Sequence, residues 1–249
     1  MNLYLKNLNK IEFAVTNACT GSCKHCSAGG GSKNTECIDV AVCVDAVKKI
    51  SKEYSIRTVM AFGGEGLLYP SVVCEIMKCA KEEGIPHRQL ITNGYFSRDV
   101  EVIKDVARCV AECGVNDLLL SVDACHQESI PLDVVRCFAA ELKKHGVPVR
   151  LSPAYLVSRT HENPYNKKTH EILESFSDLD IPVGDGNIVF CEGNAKKYLT
   201  EYFADTTPKN PYVEDRYDVK CISFSQNGDV LDANVYEKDI MDIIRDYKP

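Results

Sequence analysis

The sequence has no tryptophan and only four methionines among its 249 residues. None of its apolar segments approaches the ~18 residues that a membrane-spanning helix requires. The first twenty residues include the acidic Glu12 and lack the continuous apolar stretch of a signal peptide. We therefore expect a cytoplasmic protein without a membrane partner.

The chain also has little clustered positive charge. It contains 29 Lys and Arg residues against 36 Asp and Glu residues, which gives a formal net charge of −7 at pH 7. Its basic clusters are short, for example Lys143-Lys144-His145. Because binding to a phosphate backbone depends on clustered Lys and Arg side chains, we expect no nucleic-acid partner. The apolar fraction of 45% is sufficient for a sizeable hydrophobic core.

Cysteine, in contrast, is abundant. The chain contains 13 cysteines, an odd number that cannot all pair. In a chain without an export signal, disulfides are not expected, and thiols serve in metal binding, catalysis or packing. Most of the cysteines lie on predicted helices, where a small buried thiol is an ordinary core residue. Cys19, Cys23 and Cys26 differ because they share a polar loop that contains Gly, Ser and Lys.

Segments typical of buried strands alternate along the chain with segments of helical periodicity. The predicted strands cover residues 11–16, 58–62, 88–92, 117–122, 149–155 and 187–190. The predicted helices cover residues 39–53, 71–83, 99–113 and 133–144, with Ser71, Asp99 and Asp133 as N-caps. Short connections between strands and helices indicate right-handed βαβ units and a parallel sheet.

Six such units are fewer than the eight of a closed barrel. We therefore predict an α/β fold, a partial (β/α)6 barrel of the TIM type over residues 1–200, with its functional groups at the carboxyl ends of the strands. Residues 201–249 are predicted as a short C-terminal extension. In it, residues 222–225 and 230–231 are expected to form a β-hairpin through a type I′ turn at Asn227-Gly228, followed by a closing helix over residues 237–247.

Cys19, Cys23 and Cys26 follow the first predicted strand at spacings of four and three residues, so their thiolates can converge on one metal ion or cluster. A structural zinc site uses four protein ligands, usually in two CxxC pairs, and this sequence has no second pair. A [4Fe–4S] cluster held by three cysteines leaves one iron open to a further ligand. Three cysteines that only pack are the remaining alternative, which the polar loop does not favour.

This pattern resembles the cluster motif CxxxCxxC of the radical SAM superfamily, and further motifs of the superfamily follow in order. Gly63-Gly64-Glu65 is similar to the GGE motif that holds the amino group of S-adenosylmethionine (SAM), although Gly66 stands where proline is frequent. Thr92-Asn93-Gly94 and Ser121-Val122-Asp123 are similar to the TNG and SLD motifs after the third and fourth strands.

The resemblance implies a cofactor set and a reaction. The three cysteines would bind a [4Fe–4S] cluster whose fourth iron is chelated by SAM. One electron, from an external donor of the flavodoxin or ferredoxin type, would cleave SAM to a 5′-deoxyadenosyl radical that abstracts a hydrogen atom from the substrate. His25 is expected to shield the cluster. The residues implied in SAM binding are Gly63, Gly64, Glu65, Asn93, Ser121, Asp123, Arg150, Ser152 and Val189.

The C-terminal part is similar to members that carry a SPASM or twitch extension. Gly193-Asn194-Ala195 resembles their GRA segment, and the predicted hairpin after Cys221 resembles the start of that extension. The second cysteine of such a hairpin is missing, and Cys191 and Cys221 alone are too few for a four-cysteine auxiliary cluster. We predict a degenerate extension without a cluster; a cluster completed by other ligands or by a partner stays open.

The resemblance leaves several reaction classes open. Modification of a ribosomal peptide is the leading hypothesis. We expect no peptide-binding domain before the first strand, so a separate partner would supply peptide binding. A glycyl-radical enzyme activase and an enzyme acting on a small metabolite are the alternatives. A non-catalytic iron–sulfur electron carrier is the rival outside enzymes, and Gly63-Gly64-Glu65 argues against it because an electron carrier needs no amino-acid site.

Candidate catalytic residues follow the predicted strands. Cys125 and Cys191 come after the fourth and sixth strands, where a thiol could return a hydrogen atom to a product radical; a buried loop cysteine is the alternative for both. Tyr155, Asp123 and His126 also lie near strand ends, where they could contact substrate or relay protons.

Overall fold

The computed structural model describes residues 2–29, 36–203 and 208–249. Its strands are β1 (Lys10–Ala14), β2 (Thr58–Phe62), β3 (His87–Thr92), β4 (Asp117–Ser121), β5 (Val149–Ser152), β6 (Ala154–Tyr155), β7 (Asn187–Ile188), β8 (Cys221–Phe224), β9 (Asp229–Val230) and β10 (Ala233–Asn234). Its α-helices are α1 (Val40–Glu53), α2 (Pro70–Glu82), α3 (Val100–Glu112), α4 (Ala124–Gln127), α5 (Leu132–Lys144), α6 (Pro164–Glu174), α7 (Gly193–Tyr198) and α8 (Ile240–Asp246).

Six strands form one parallel sheet in the order β5-β4-β3-β2-β1-β8. Helices α1, α2, α3 and α5 connect its first five strands, which is the βαβ arrangement that the sequence predicts. The sheet does not close on itself in the described residues, so the predicted α/β fold with a partial barrel is confirmed.

The sixth predicted strand has a different place. Asn187–Ile188 pairs in parallel with Ala154–Tyr155 in a separate two-stranded sheet. Pro153 separates β5 from β6, and proline has no N–H to donate to a neighbouring strand, which interrupts the ladder. The Pro153 carbonyl still accepts from the Asn187 N–H at 2.8 Å, so β7 continues along the edge of the partial barrel.

The prediction of a β-hairpin around Asn227-Gly228 is wrong. Cys221–Phe224 pairs in parallel with β1 at the edge of the main sheet opposite β5, and the hairpin forms between β9 and β10. Its turn residues Leu231 and Asp232 have φ values of 50° and 61°, as a type I′ turn requires. Pairing with β1 buries Phe224 completely.

Two of the three predicted N-caps are also displaced. Asp99 caps α3 through the N–H of Glu101. Helix α2 begins at Pro70 and α5 at Leu132, so Ser71 and Asp133 lie inside the first turn. Proline has a fixed φ suited to the start of a helix, and the sequence prediction did not use it. The closing helix begins at Ile240, three residues after its predicted start.

The hydrophobic core lies between the sheet and its helices. One cluster joins β2–β5 to α2, α3 and α5, with Phe138 among its buried side chains. A second cluster joins β1 and β8 to α1 and α8, where the rings of Phe13 and Phe224 stack at 4.9 Å between centroids. The opposite face of the sheet, which points away from these helices, lines a cavity. No helix in the described part of the chain could span a membrane.

We expect Phe224→Ala to lower the free energy of unfolding by about 3 to 5 kcal/mol, because it removes a fully buried ring that stacks on Phe13. Urea denaturation followed by circular dichroism measures this change. Leu3→Ala is the matched control, since Leu3 is 79% exposed and its loss should cost less than about 0.5 kcal/mol. Equal losses in the two variants would contradict the packing of β8 on β1.

Candidate functional site

A cavity of about 450 Å³ opens at the carboxyl ends of the main sheet. Its walls come from the loop after β1, from the ends of β2 to β5 and from the segment around β7. Predicted site residues that line it are Cys19, Cys23, Cys26, Gly63, Gly64, Asn93, Ser121, Ser152 and Val189, together with His25 and His126. The strands therefore bring most of the predicted residues to one cavity; their contacts with SAM stay predictions.

The three motif cysteines lie together on the loop between β1 and α1, which we call the cluster loop (residues 17–29). The Cys26 N–H donates to the Cys23 carbonyl at 3.2 Å, which turns the loop back on itself. Burial raises the pKa values of Cys19 and Cys23, and the nearby Cys26 raises both further. Thiolates held this close favour a bound cation, so the donor set fits an iron–sulfur cluster.

Gly63 and Gly64 allow β2 to approach the cluster loop. The N–H of Gly64 donates to the Thr16 carbonyl at 2.7 Å, and a Cβ at Gly64 would lie 2.2 Å from the Ala18 carbonyl oxygen. The sequence prediction gave these glycines a role in admitting the ligand. In the structure, their first effect is to fit the end of β2 against the loop that carries the cysteines.

Glu65 is 1% exposed and does not line the cavity. One carboxylate oxygen accepts from the Leu67 N–H at 2.9 Å and from the Thr92 hydroxyl at 2.7 Å, and the other accepts from the Asn93 N–H at 2.8 Å. Burial raises the pKa of Glu65, and these hydrogen bonds oppose that effect. Glu65 thus joins the ends of β2 and β3, and its predicted contact with the SAM amino group stays a prediction.

Asp123 is likewise buried and committed to protein groups. Its carboxylate accepts from the N–H groups of His126 and Ala154, each at 3.0 Å, and lies 2.7 Å from His126 Nδ1. Burial alone would raise the pKa of Asp123, but His126 and His25 outweigh it and lower the pKa. Asp123 orients His126, whose ring lines the cavity; the predicted contact of Asp123 with SAM stays a prediction.

His25 lies in the wall between the cluster loop and α4. Its ring meets that of His126 edge-on at 4.6 Å, and its buried Nδ1 has no hydrogen-bond partner in the described residues. Burial lowers the pKa of His25 to about 4, so the ring is neutral at pH 7. A neutral ring next to Cys26 fits the predicted shielding role, which stays a prediction.

Arg150 does not line the cavity in this structure, and its predicted contact with SAM stays a prediction. Arg150 shares the concave face of β5 with Ser152, but it lies two residues earlier, about 7 Å nearer the amino end of the strand. There its guanidinium donates to the Asp117 carboxylate at 3.0 Å. Strand alternation alone could not distinguish these two positions.

The three candidate catalytic residues do not line the cavity. Cys125 is 4% exposed and packs with Leu156 in a small apolar cluster that Cys191 also contacts. Tyr155 is 1% exposed, and its ring packs against His170. Burial raises the pKa values of Cys125 and Tyr155, so both side chains are protonated at neutral pH. In this arrangement all three side chains pack against apolar neighbours, and their catalytic roles stay predictions.

Sequence reasoning missed how the C-terminal segment braces the cluster loop. The backbone N–H and the side-chain amide of Asn194 donate to the carbonyls of Cys26 and Cys23 at 2.9 and 3.0 Å. Gly193 precedes it with φ = 51°, and a Cβ there would lie 2.5 Å from the Cys26 carbonyl oxygen. Gly193-Asn194 was visible in the sequence, but only the fold shows that it meets the motif cysteines.

Gly193→Ala should weaken iron binding, because the added methyl group collides with the cluster loop and the residue already has a positive φ. We expect less than half of the wild-type iron after anaerobic reconstitution, measured by a colorimetric iron assay. Gly146→Ala is the matched control: φ there is +70°, but a Cβ would meet nothing within 4 Å. Full iron content in both variants would contradict the bracing role of α7.

From the lowered pKa of His25 we predict that the free energy of unfolding depends on pH. Its folded-state pKa of about 4 lies below the ordinary value of 6.5, so the unfolded chain binds more protons between these values. The free energy of unfolding of the metal-free protein should therefore fall by about 1 to 3 kcal/mol between pH 7 and pH 4 through this residue. Urea titrations of the wild type and His25→Phe test this, with His145→Phe as control. An identical pH slope in His25→Phe and the wild type would refute it.

Comparison with curated proteins finds relatives in sequence, and two of them are probable GTP 3′,8-cyclases. That of Methanocaldococcus jannaschii is 25% identical over 123 residues, which cover 49% of this chain and 39% of that protein. That of Sulfolobus acidocaldarius is 28% identical over 121 residues, which cover 49% and 36%. The chain thus matches less than two fifths of the length of these relatives.

Several solved structures share the fold. SuiB of Streptococcus suis bound to SAM has a TM-score of 0.61 at 13% identity, with 97% of this chain and 66% of that chain covered. The enzyme anSMEcpe with bound SAM has a TM-score of 0.60 at 13% identity, with 95% and 80% covered. BtrN in complex with SAM and 2-DOIA has a TM-score of 0.54 at 17% identity, with 95% and 81% covered.

The sequence model of the radical SAM superfamily matches residues 13–189, which is most of the chain. The matched segment includes the cluster loop and the strands that line the cavity. The chain therefore belongs to the radical SAM superfamily and is a SAM-dependent enzyme that uses a [4Fe–4S] cluster.

Proposed function

We propose that this enzyme abstracts a hydrogen atom from a substrate without a phosphate chain, with a peptide as the leading candidate. When bound, the cluster and SAM supply a 5′-deoxyadenosyl radical as the abstracting species. A small polar metabolite is the alternative substrate. An external one-electron donor of the flavodoxin or ferredoxin type belongs to the proposal.

The chain's own residues hold and shield the reacting groups. Cys19, Cys23 and Cys26 supply three thiolates, and Asn194 braces the loop that carries them. The neutral His25 ring and the apolar Phe62 and Ile91 line the cavity and limit the access of water. Asp123 orients His126, and the polar edge of the His126 ring faces the cavity in which SAM and the substrate would bind.

The proposal of a substrate without a phosphate chain rests on the charge of the residues that line the cavity. Among the described residues that line it, none is Lys or Arg. A nucleoside triphosphate carries several negative charges, and proteins balance them with cationic side chains or metal ions. The two relatives that are probable GTP cyclases match over about half of this chain, so their substrate does not carry over.

The rim of the cavity favours a peptide. Tyr212 lines the cavity, is 63% exposed and packs edge-on against Phe190, and its hydroxyl donates to the Asn187 side chain at 2.5 Å. Exposed aromatic rings beside neutral polar groups are typical of peptide-binding surfaces. The structural neighbour SuiB is also known with its precursor peptide SuiA, at a TM-score of 0.59 and 13% identity.

Reductive SAM cleavage is the first test. We expect the wild-type protein, reconstituted anaerobically with iron and sulfide and reduced with dithionite, to form 5′-deoxyadenosine from SAM. Cys26→Ala should form at least about a hundredfold less, because the cluster loses one of three protein ligands. Cys109→Ala is the matched control, since Cys109 lies on α3 away from the cavity. Loss of activity in Cys109→Ala, or full activity in Cys26→Ala, would contradict the assignment.

The substrate class is tested by binding. Isothermal titration of the reconstituted, SAM-bound protein with GTP should show no binding up to about 1 mM, because the described residues that line the cavity include no cationic side chain. GTP should also leave the rate of 5′-deoxyadenosine formation unchanged. Micromolar binding of GTP, or its conversion to a cyclised product, would overturn the proposal and favour the chemistry of the cyclase relatives.

A further inference from the structure

The side-chain amide of Asn93, at the end of β3, has a single possible orientation. Its Oδ1 accepts from the Tyr95 N–H at 2.8 Å, and a backbone N–H can only donate. The Nδ2 atom therefore faces the cluster loop, where it lies 3.5 Å from Cys19 Sγ and 3.3 Å from Thr20 Oγ1. Both N–H groups of the amide are thus directed at this loop, and one of them at a cluster-ligand sulfur.

The neighbouring residues hold this amide rigidly. The N–H of Asn93 donates to the buried Glu65 carboxylate at 2.8 Å, and the Thr92 hydroxyl donates to the same carboxylate at 2.7 Å. Thr92 Oγ1 also accepts from the Gly94 N–H at 3.0 Å. Asn93 is 5% exposed, so its side chain has little room to rotate away. The network explains why Glu65 is buried rather than open to the cavity.

Cys19 receives two hydrogen bonds to its sulfur, one from Asn93 and one from the Gly21 N–H at 3.4 Å. Burial raises the pKa of Cys19, and both hydrogen bonds act in the opposite direction because they stabilise the thiolate. The same effect operates when the sulfur is a cluster ligand. Donors to ligand sulfurs favour the more negative, reduced state of an iron–sulfur cluster and so raise its reduction potential.

We propose that Asn93 is a positioning residue that raises the reduction potential of the [4Fe–4S] cluster through its N–H···S hydrogen bond to Cys19. In the step concerned, the cluster gains one electron and the external donor loses one, and no proton moves. The bond makes this reduction accessible to the flavodoxin or ferredoxin class of donor. The inference rests on the proposed function in one respect, namely that the cluster binds at the three cysteines.

Asn93→Asp is the sharpest variant, because the carboxylate keeps the acceptor for Tyr95 and replaces the N–H donor by an oxygen. The reconstituted protein is titrated electrochemically without SAM, and reduced cluster is quantified by EPR. At the wild-type midpoint potential, the ratio of reduced to oxidised cluster should fall about tenfold. Asn93→Leu, which also lacks the donor, should change the ratio in the same direction.

Asn116→Asp is the matched control. It makes the same substitution just before β4, where the Asn116 side chain accepts from the Arg88 N–H and donates to the Pro86 carbonyl, each at 2.8 Å, and does not line the cavity. Its ratio of reduced to oxidised cluster should stay within about twofold of the wild type. An Asn93→Asp protein with full iron content and an unchanged ratio would overturn the inference while leaving the proposed function intact. A wild-type protein that assembles no cluster would overturn the proposed function itself.

A second measurement covers the case in which the Asn93 variants lose iron. Wild-type protein is labelled with ¹⁵N at the side-chain amides of asparagine only, and its reduced cluster is studied by pulsed EPR without SAM. A weakly coupled ¹⁵N nucleus is expected from the amide that bonds Cys19, and it should persist in the labelled Asn194→Ala protein. A spectrum without any ¹⁵N coupling would overturn the inference.

Discussion

Backbone hydrogen bonds between the end of β2 and the cluster loop are the constraint on which the site depends. The N–H groups of Gly64 and Glu65 donate to the carbonyls of Thr16 and Ala18 at 2.7 and 2.8 Å. This contact is closer than any side chain at Gly64 would permit. It places the loop with the three cysteines over the sheet, and it brings Glu65 to the position from which it holds the end of β3.

The network that starts at Glu65 connects β2 and β3 to the cluster loop. Through Thr92 and Asn93 it reaches Cys19, and from the other side Asn194 reaches the carbonyls of the loop. The loop has no strand or helix of its own in the described residues 17–29. Its shape therefore comes from partners that are distant in the sequence, and loss of one partner should affect the cluster before it affects the fold.

Electrostatics complements this arrangement. The chain is acidic, and neither Lys nor Arg is among the described residues that line the cavity. The thiols of Cys19 and Cys23 are half-buried or buried, which raises their pKa values and makes isolated thiolates unfavourable there. A cationic iron–sulfur core would remove that cost, so we expect cluster binding to stabilise the loop.

Much of the architecture could be predicted from the sequence, because apolar periodicity marks strands and helices locally. Strands β1 to β5 and the N-cap Asp99 are where the sequence places them. The strand at residues 187–190 and the hairpin at residues 222–231 were predicted with the wrong partners, because packing decides which strands pair. Pro153 separates β5 from β6, so β7 pairs with β6 in a separate sheet. Phe224 stacks on Phe13, so β8 pairs with β1. The burial of Glu65 and Asp123 was also missed, since a motif shows which residue is present and not what surrounds it.

The sequence by itself determined the superfamily and the alternation of strands and helices, because spacing along the chain is enough for both. Only the tertiary structure decided which polar residues face the cavity. Arg150 bonds Asp117, Asp123 orients His126, and Asn93 meets a sulfur 74 residues earlier in the chain. These contacts depend on strand order, on strand register and on the approach of loops from separate strands. The packing of the whole chain sets these contacts, and no local sequence pattern encodes them.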